Sequence, residues 1–509
     1  MPDDRPARTL PDHPDLDQLR RQAKELRRAA AAGDPTAIAP FGGSEITLAR
    51  AQRVLARSYG FASWPRLVQH VRVRADLTRA MDATADGDDP VDRFLRTACL
   101  SYTHPPAASR ARDQLAADPS LATRSAATLA ACGRAAELAD RLARDPAAAT
   151  REDGPHRWPP LLYLCYSRLG LGDPVGAARV LLAAGANPNS GFLWQGLPSP
   201  FTALTGVLGG GERDEPPHPQ AVELAELLLA AGADPNDNQA FYNRQFRPNN
   251  DHLGPLLRHG AGQPRPSPWR DRLGAAYPSP QQMVGEHLRT AAQHGFDERV
   301  RLLLAHGVDP TTRGYHPILG DATAYEVAVR FGHPTAAALL AAAGGRSDRL
   351  DATDLLLAAA LSGDDSLAPT GPPDPITDLP ARRPDAMRLA AEQHDIAALA
   401  RLLALGYHVD TPGAGHVTAL HEAALRGDAA MCRWLIDHGA DPTVTERRFG
   451  ATPAGWAAHA GHQELAGWLT DRAAAGYDSS PLPAHPTPHP RSPTHLAPNA
   501  PLRRHQRCV

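Results

Sequence analysis

The chain has 509 residues, of which 42% are hydrophobic, and 53 Lys and Arg against 56 Asp and Glu leave a net charge of −3. This balance lacks the basic excess that is typical of nucleic-acid-binding proteins, and five cysteines without a C-x-x-C pair predict neither a disulfide scaffold nor a cysteine zinc site. No apolar run reaches the roughly 18–20 residues of a membrane span, and no signal peptide is evident, so we expect a soluble, cytoplasmic protein with no membrane contact.

Residues 1–80 have the pattern of a short helical module. Apolar residues recur on one helical face at Leu16, Leu19, Ala23, Leu26 and Ala30. A second run ends at Gly60, and Ser63 opens a third helix. The module has 14 basic and 9 acidic residues. We interpret it as a solvated cap on the segment that follows; the alternative is a contact surface for a nucleic acid or an acidic partner.

Residues 81–280 show a degenerate period of about 33 residues, which is the range of helical repeats. Cys99, Cys132 and Cys165 are spaced by 33 and 33, which predicts equivalent, buried and unbridged positions. Two stretches, 209–219 and 238–250, are predicted to be inserted loops because they break the pattern.

Turn residues continue the period through the second half of the chain. They fall at Gly295, Gly332, Gly363, His394, Gly427 and Gly461. A proline-rich stretch near 361–384 interrupts the pattern and is predicted to replace a helix with irregular chain. Residues 478–509 contain eight prolines and four histidines without apolar periodicity, which predicts a disordered tail.

The last third contains the clearest motif. Thr418-Ala-Leu-His-Glu-Ala-Ala424 precedes a turn at Gly427, an apolar helix and the sequence Gly439-Ala-Asp-Pro442, and the pattern recurs from Thr452. Threonine and proline suit a helix start. Gly439 suits a left-handed helix end, where a β-branched residue would be destabilising.

These motifs resemble the ankyrin repeat. The resemblance covers 382–477 and 282–345 and is more degenerate in 81–280 and 346–381. It implies an all-α solenoid of helix pairs over 81–477, with protein binding on the concave helix face and loop tips. The segments LDQLRRQAKELRRA and YGFASWPRL resemble a module that precedes repeats in bacterial ankyrin proteins, and the bias of 52 Arg to one Lys is typical of a high-GC bacterial genome.

Catalytic and metal-binding signatures are not evident. His421-Glu422 lacks the second histidine of H-E-x-x-H, and no nucleotide-binding glycine motif or nucleophile elbow is present. His459 and His462, and the histidines of the tail, are weighed as metal ligands, but structural and solvated roles are favoured. In the family, the histidine at position 421 bonds to neighbouring loop backbone. We therefore predict no catalytic residue, no cofactor and no metal.

The ankyrin pattern places one set of residues on the concave face. They are Glu422, Leu425, Arg426, Trp456, His459 and Ala460, with Val327, Arg330 and Phe331 in an earlier repeat. The adjoining loop presents Arg447 and Arg448, which suit a carboxylate partner. The predicted partner-binding set is Glu422, Arg426, Arg447, Arg448, Trp456 and His459; the alternative is that Trp456 covers a neighbouring helix and the arginines are merely solvated.

The resulting hypothesis is a non-enzymatic scaffold that binds an unknown protein partner. The alternative is an enzyme or small-molecule receptor with a site in the irregular 186–280 region, where Tyr242, Arg244, Phe246 and Arg247 mix aromatic and basic character. The sequence leaves the partner, the exact repeat count and the oligomeric state open.

Overall fold

The structure is a computed structural model. It describes residues 10–11, 14–43, 45–79, 89–103, 107–314, 319–347, 349–364 and 379–475. The chain is mostly helical, with 59% helix and 3% strand, in agreement with the predicted all-α class. The described residues divide into two compact units, one within 10–211 and 215–283 and the other within 212–214 and 284–475. The predicted tail, with its histidines and Cys508, and residues 365–378 of the interrupted stretch lie outside the described residues.

The N-terminal segment contains the three helices that the apolar pattern predicts and one additional short helix. Their bounds are α1 (Leu16–Ala31), α2 (Pro35–Ile38), α3 (Leu48–Ser58) and α4 (Trp64–Leu77). Asp15, Thr47 and Ser63 start the three longer helices, because each side chain accepts a backbone N–H of the first turn. The strand β1 (Thr78–Arg79) follows α4.

The rest of the first unit is built mainly from helix pairs. The helices are α5 (Pro90–Ala98), α6 (Ala108–Ala117), α7 (Ala126–Ala131), α8 (Ala135–Arg144), α9 (Pro160–Tyr166), α10 (Pro174–Ala183), α11 (Ala203–Leu208), α12 (Ala221–Ala230), α13 (Asn238–Arg244), α14 (Leu253–Arg258) and α15 (Pro268–Leu273). The inner helices α7, α9, α11 and α13 pack on one another in succession, and the outer helices α8, α10, α12 and α14 do the same. Such stacking supplies the core that no single pair could form.

A small sheet in the first unit was not predicted. Strands β2 (Gly191–Trp194) and β3 (Pro200–Thr202) pair antiparallel, and β1 adds to β2 in parallel. Phe192 and Phe201 stack across β2 and β3 with ring centroids 5.5 Å apart. The sheet therefore attaches the N-terminal segment to the middle of the first unit.

Two sequence expectations for the first unit were wrong in detail. Residues 238–250 are not a loop throughout, because Asp237 accepts the N–H of Ala240 and starts α13. Cys99, Cys132 and Cys165 are buried and free, as predicted, but they are not equivalent. Cys99 and Cys132 follow the last residues of α5 and α7, whereas Cys165 lies inside α9.

The second unit repeats the helix-pair pattern. Its helices are α16 (Pro280–Gln293, which begins in the first unit), α17 (Asp297–Ala305), α18 (Ala324–Arg330), α19 (Pro334–Ala342), α20 (Ala352–Ser362), α21 (Leu379–Arg382), α22 (Ala386–Glu392), α23 (Ile396–Ala404), α24 (Ala419–Leu425), α25 (Ala429–Asp437), α26 (Pro453–His459) and α27 (Gln463–Ala475). Short 3-10 helices occur in the chain at Ala39–Phe41, Pro119–Thr123, Pro146–Ala149, Gly274–Ala276 and Ala414–His416. The inner helices α22, α24 and α26 pack in succession.

In three repeats of the second unit, a side chain at one inner-helix position bonds to the loop that follows. This position lies six residues before the turn, where the motif has His421, and in earlier repeats it holds Arg289 and Glu326. His421 Nε2 lies 3.2 Å from the carbonyl of Ala451, as the family resemblance implied. Arg289 donates to the carbonyl of Gly320 at 2.9 Å, and Glu326 accepts from Ser347 Oγ at 2.6 Å. The chemistry of the bond varies among these three repeats, and the equivalent position holds Leu357, Arg388 and Gly455 elsewhere in the unit.

The turns between paired helices also contact the next repeat. Gly427 has a φ of 69°, and a Cβ placed on it would lie 2.6 Å from Cε1 of His462. A Cβ on Gly295 would lie 2.6 Å from Nδ1 of His333. These glycines are therefore needed for space as well as for conformation. Gly439 has a φ of 89°, as predicted for a left-handed helix end, but open space surrounds its Cβ position.

This contrast provides a matched pair of substitutions. Alanine at either position costs about 1–2 kcal/mol in left-handed backbone. Gly427→Ala is expected to cost at least about 1 kcal/mol more than Gly439→Ala, because it also displaces the His462 ring. Urea unfolding and hydrogen exchange of residues 419–475 measure both. Equal losses would show that the turn contact contributes nothing.

The cysteines give a second test of the packing. Cys99, Cys132, Cys165 and Cys432 are buried, and burial raises the pKa of Cys132 to about 12 and the pKa of the other three thiols further. Because the thiolate is the reactive form, all four are expected to resist iodoacetamide in the native protein and to react after denaturation. Mass spectrometry of a Cys508→Ser variant measures this. Rapid native labelling at any of the four would contradict the described core.

Candidate functional site

The predicted partner-binding residues lie on two adjacent inner helices and on the loop before the second. Glu422 lies on α24, Arg426 follows its last residue, and Trp456 and His459 lie on α26. Arg447 and Arg448 lie in the loop between α25 and α26. Since α24 packs directly against α26, these elements form one neighbourhood of the second unit.

Trp456 is half-buried, and His459 is exposed on the same helix. The Trp456 ring meets the His421 imidazole edge to face, with centroids 5.4 Å apart. Burial lowers the pKa of His421, although its contact with the carbonyl of Ala451 opposes this shift, so the imidazole is neutral near pH 7. His421 is buried and hydrogen-bonded through both ring nitrogens, to Thr418 and to Ala451. It thus packs against the Trp456 ring, while part of the tryptophan surface stays accessible.

Four alternating charges link α22 to α24. Arg388 Nη1 lies 2.9 Å from Glu392 and 3.6 Å from Glu422. Arg426 lies 2.8 Å from Glu422 through Nε and 3.4 Å from Glu392 through Nη2. Each arginine therefore contacts both carboxylates, and the four side chains form a closed ring, here called the charge ring.

The charge ring compensates for its own burial. Burial alone would raise the pKa of Glu392, but Arg388 and Arg426 outweigh it and hold that pKa below its usual value. Burial alone would lower the pKa of Arg388, but Glu392 and Glu422 outweigh it and raise that pKa. Glu392 and Arg388 are therefore both ionised at neutral pH, and their opposite charges offset the cost of partial burial.

This ring changes the role that the sequence assigned to Glu422 and Arg426. Glu422 is only 7% exposed, and its carboxylate is already bound by two arginines. Glu422 therefore holds α24 against α22 and does not present a free charge to solvent. Sequence reasoning missed Arg388 and Glu392, although a signal was present: each is followed 34 residues later, one repeat on, by a residue of opposite charge.

The loop before α26 is held by a buried carboxylate. Glu446 is 3% exposed and accepts the backbone N–H groups of Arg448 at 2.6 Å, Phe449 at 2.8 Å and Ala451 at 3.2 Å. Burial would raise the pKa of Glu446, but these donors outweigh it and lower the pKa. The carboxylate thus fixes the loop from inside.

The tip of this loop, residues 447–450 (the 447–450 tip), is exposed. Phe449 is 59% exposed, the highest value for a large hydrophobic side chain within the described ranges. The Arg448 guanidinium lies 4.9 Å from the centroid of its ring. The Arg447 N–H donates to the carbonyl of Gly415 at 2.8 Å, which ties the tip to the preceding loop. The sequence had marked the two arginines but not Phe449 as contact residues.

The alternative site in 186–280 contains many polar groups, and those around Asp237 bond to one another. The carboxylate of Asp237 accepts the hydroxyls of Thr202 and Thr205 and the N–H of Ala240. Tyr166 donates its hydroxyl to the carbonyl of Thr202 at 3.0 Å. These bonds join β3, α11 and α13, so this polar centre has a structural role.

The residues of the predicted insert also pack locally. The Tyr242 and Phe246 rings meet edge to face at 5.3 Å, and Arg244 is 8% exposed and donates to Asn249 Oδ1 at 3.0 Å. Arg247 is half-buried and donates to the carbonyl of Phe246. In the part of the chain that the structure describes, no three His, Cys, Asp or Glu side chains are grouped as a metal site requires. None of the described helices is long and apolar enough to cross a membrane.

Comparisons with known proteins identify the repeat. Residues 387–479 match the family model for ankyrin repeats in three copies, so the chain contains ankyrin repeats as its motifs predicted. Potassium channel AKT3 of Oryza sativa subsp. japonica is 38% identical over 79 residues, which are 15% of this chain and 9% of the channel. The chain thus spans less than a tenth of that relative.

The support for the 447–450 tip predicts a pH-dependent effect of Glu446→Gln. Because the folded pKa of Glu446 is lowered, its ionised form stabilises the fold above the ordinary glutamate pKa, and this contribution is lost as pH falls through the lower folded value. The variant is expected to lose about 1–3 kcal/mol at pH 7 and to approach the parent protein as pH falls below the lowered folded pKa. Urea unfolding across this range measures the difference. The exposed substitution Asp471→Asn is the control, and a loss that does not depend on pH would contradict the role of the charge.

Proposed function

We propose that this ankyrin-repeat protein is a non-enzymatic scaffold that binds a protein partner through the concave helix face and loop tips of its second unit. Ankyrin repeats are generally protein-interaction modules. The observation that carries the proposal is the 447–450 tip, an exposed aromatic–arginine pair on a loop held rigid by Glu446.

The proposed contact surface consists of Arg447, Arg448, Phe449, Trp456 and His459. Arginine and aromatic residues are enriched among the residues that dominate binding energy. A preorganised loop loses little conformational entropy when it binds. The two arginines suit carboxylates, because a guanidinium pairs with a carboxylate through two parallel hydrogen bonds. The expected partner segment therefore combines acidic and apolar side chains.

The charge ring supports this surface from beneath. It joins the inner helices α22 and α24, and α24 packs against α26, which carries Trp456. In this proposal Glu422 and Arg426 hold α24 in place against α22. The exposed edge of Arg426 also contacts the partner at the border of the contact surface. The charge ring therefore positions the contact residues and contributes little binding energy itself.

The wider setting is part of the same proposal. The helix pairs of each unit are taken as segments of ankyrin-type solenoid within 81–477, preceded by the 1–80 module. Four free, buried cysteines fit a reducing compartment, and we place the protein in a bacterial cytoplasm. The internal bonding of the polar centre around Asp237 favours a scaffold over an enzyme.

The test uses the full chain with a photo-crosslinking amino acid at position 447, and the same group at exposed Arg433 on α25 as control. A partner crosslinked from 447 and not from 433 is then purified. Trp456→Ala combined with Arg447→Ala is expected to weaken its binding by about 2 kcal/mol or more with the fold intact, whereas Arg433→Ala leaves binding unchanged. Equal crosslinking from both positions, or unchanged affinity of the double variant, would overturn the surface.

A further inference from the structure

The N-terminal module has an exposed basic face that the proposed scaffold function does not use. Within the described part of residues 10–79 there are twelve basic and six acidic residues. Besides Arg20, which pairs with Asp17, four exposed cations lie on α1 and three on α3. They are Arg21, Lys24, Arg27, Arg28, Arg50, Arg53 and Arg57, here called the basic face.

The helix geometry arranges these cations in rows along α1 and α3. Arg50, Arg53 and Arg57 follow the spacing of one helical stripe and span about 10 Å at 1.5 Å per residue. They point away from Ala51 and Leu55, which are buried. The cations of α1 occupy a comparable length on the flank of a helix whose apolar side is also buried. Two straight rows of positive charge result.

Three of the six carboxylates in the described part of the module are bound within it. Asp15 and Asp34 accept backbone N–H groups at the starts of α1 and α2. Asp17 pairs with Arg20 at 2.7 Å. Among the described residues, none of the seven side chains of the basic face has an ion-pair partner. The exposed Glu25 lies among the cations of α1, but twelve basic against six acidic residues leave a local excess of positive charge.

The packing narrows the class of partner. Leu19 clusters with Ala56, and Ala30 clusters with Ala51, so α1 and α3 run antiparallel with their apolar sides facing each other. Neither α1 nor α3 therefore keeps an apolar face for insertion into a lipid surface. Aromatic residues of the module, Tyr59, Phe61 and Trp64, pack on the apolar cluster and are not arranged as a platform for unpaired bases.

We propose that the basic face binds the phosphate backbone of duplex nucleic acid without reading its sequence. Arginine forks match phosphate oxygens, and rows of cations on straight helices suit the closely spaced charges of a duplex. This contact gives the chain a second partner and is independent of the 447–450 tip. It takes up the alternative that the sequence left open for this module, in which the relevant charge is local rather than total.

The test measures binding of the full chain to a fluorescein-labelled, mixed-sequence DNA duplex of about 20 base pairs by anisotropy, at about 50–200 mM NaCl. The logarithm of affinity is expected to fall against that of salt with a slope of about −3 or steeper. Arg50→Gln, Arg53→Gln and Arg57→Gln together are expected to reduce the slope by about 2–3 and to weaken binding at low salt about tenfold or more.

The matched control removes three exposed arginines of other helices in the same unit, Arg110, Arg144 and Arg179, and is expected to leave slope and affinity unchanged. If the first variant fails to fold by circular dichroism, Lys24→Gln, Arg27→Gln and Arg28→Gln replace it. No binding by the parent chain at low salt, equal effects of both triple variants, or tighter binding to oligothymidine or to phosphatidylserine vesicles would each overturn the proposal.

Discussion

The second unit depends on one recurrent interaction, in which a side chain of an inner helix bonds to the loop of the next repeat and which is present in three of its repeats. His421, Arg289 and Glu326 occupy this position and reach a carbonyl, a carbonyl and a hydroxyl. Because a helix pair cannot bury its apolar face alone, such bonds set the spacing and angle at which neighbours stack. The turn glycines obey the same constraint, since the next repeat occupies the space where a Cβ would lie.

Charged side chains of the second unit have two different roles. Some pair with one another inside the fold, and others stay exposed and can bind a partner. The charge ring of Arg388, Glu392, Glu422 and Arg426 belongs to the first kind. Its ion pairs hold α22 and α24 together. Breaking such a ring at one member would leave a buried charge without compensation. The 447–450 tip belongs to the second kind. One buried carboxylate, Glu446, holds the loop from inside, and the two arginines and Phe449 stay exposed.

The first unit uses polar groups differently. Asp237 lies at the centre of bonds that join β3, α11 and α13, and burial raises its pKa to about 6 despite the hydroxyls that favour its ionised form. Such a centre fixes irregular elements to the stacked helices at some cost in stability, since a buried charge must be desolvated. In the N-terminal module the apolar sides are buried and the cations face outward, which leaves electrostatics as its means of contact.

The sequence alone determined the repeat period, the helical class, the left-handed position of Gly439 and the bond of His421 to the next loop, because each depends on local backbone geometry or on a motif within one repeat. It also marked Arg447, Arg448 and Trp456 as a neighbourhood. Only the tertiary structure decided that Glu422 is enclosed by arginines, that Phe449 is the exposed side chain of the tip, and that β1 pairs with β2 more than a hundred residues away. Exposure and ion pairing depend on which atoms of distant repeats come within a few ångströms, and a pattern of residue types does not specify those distances.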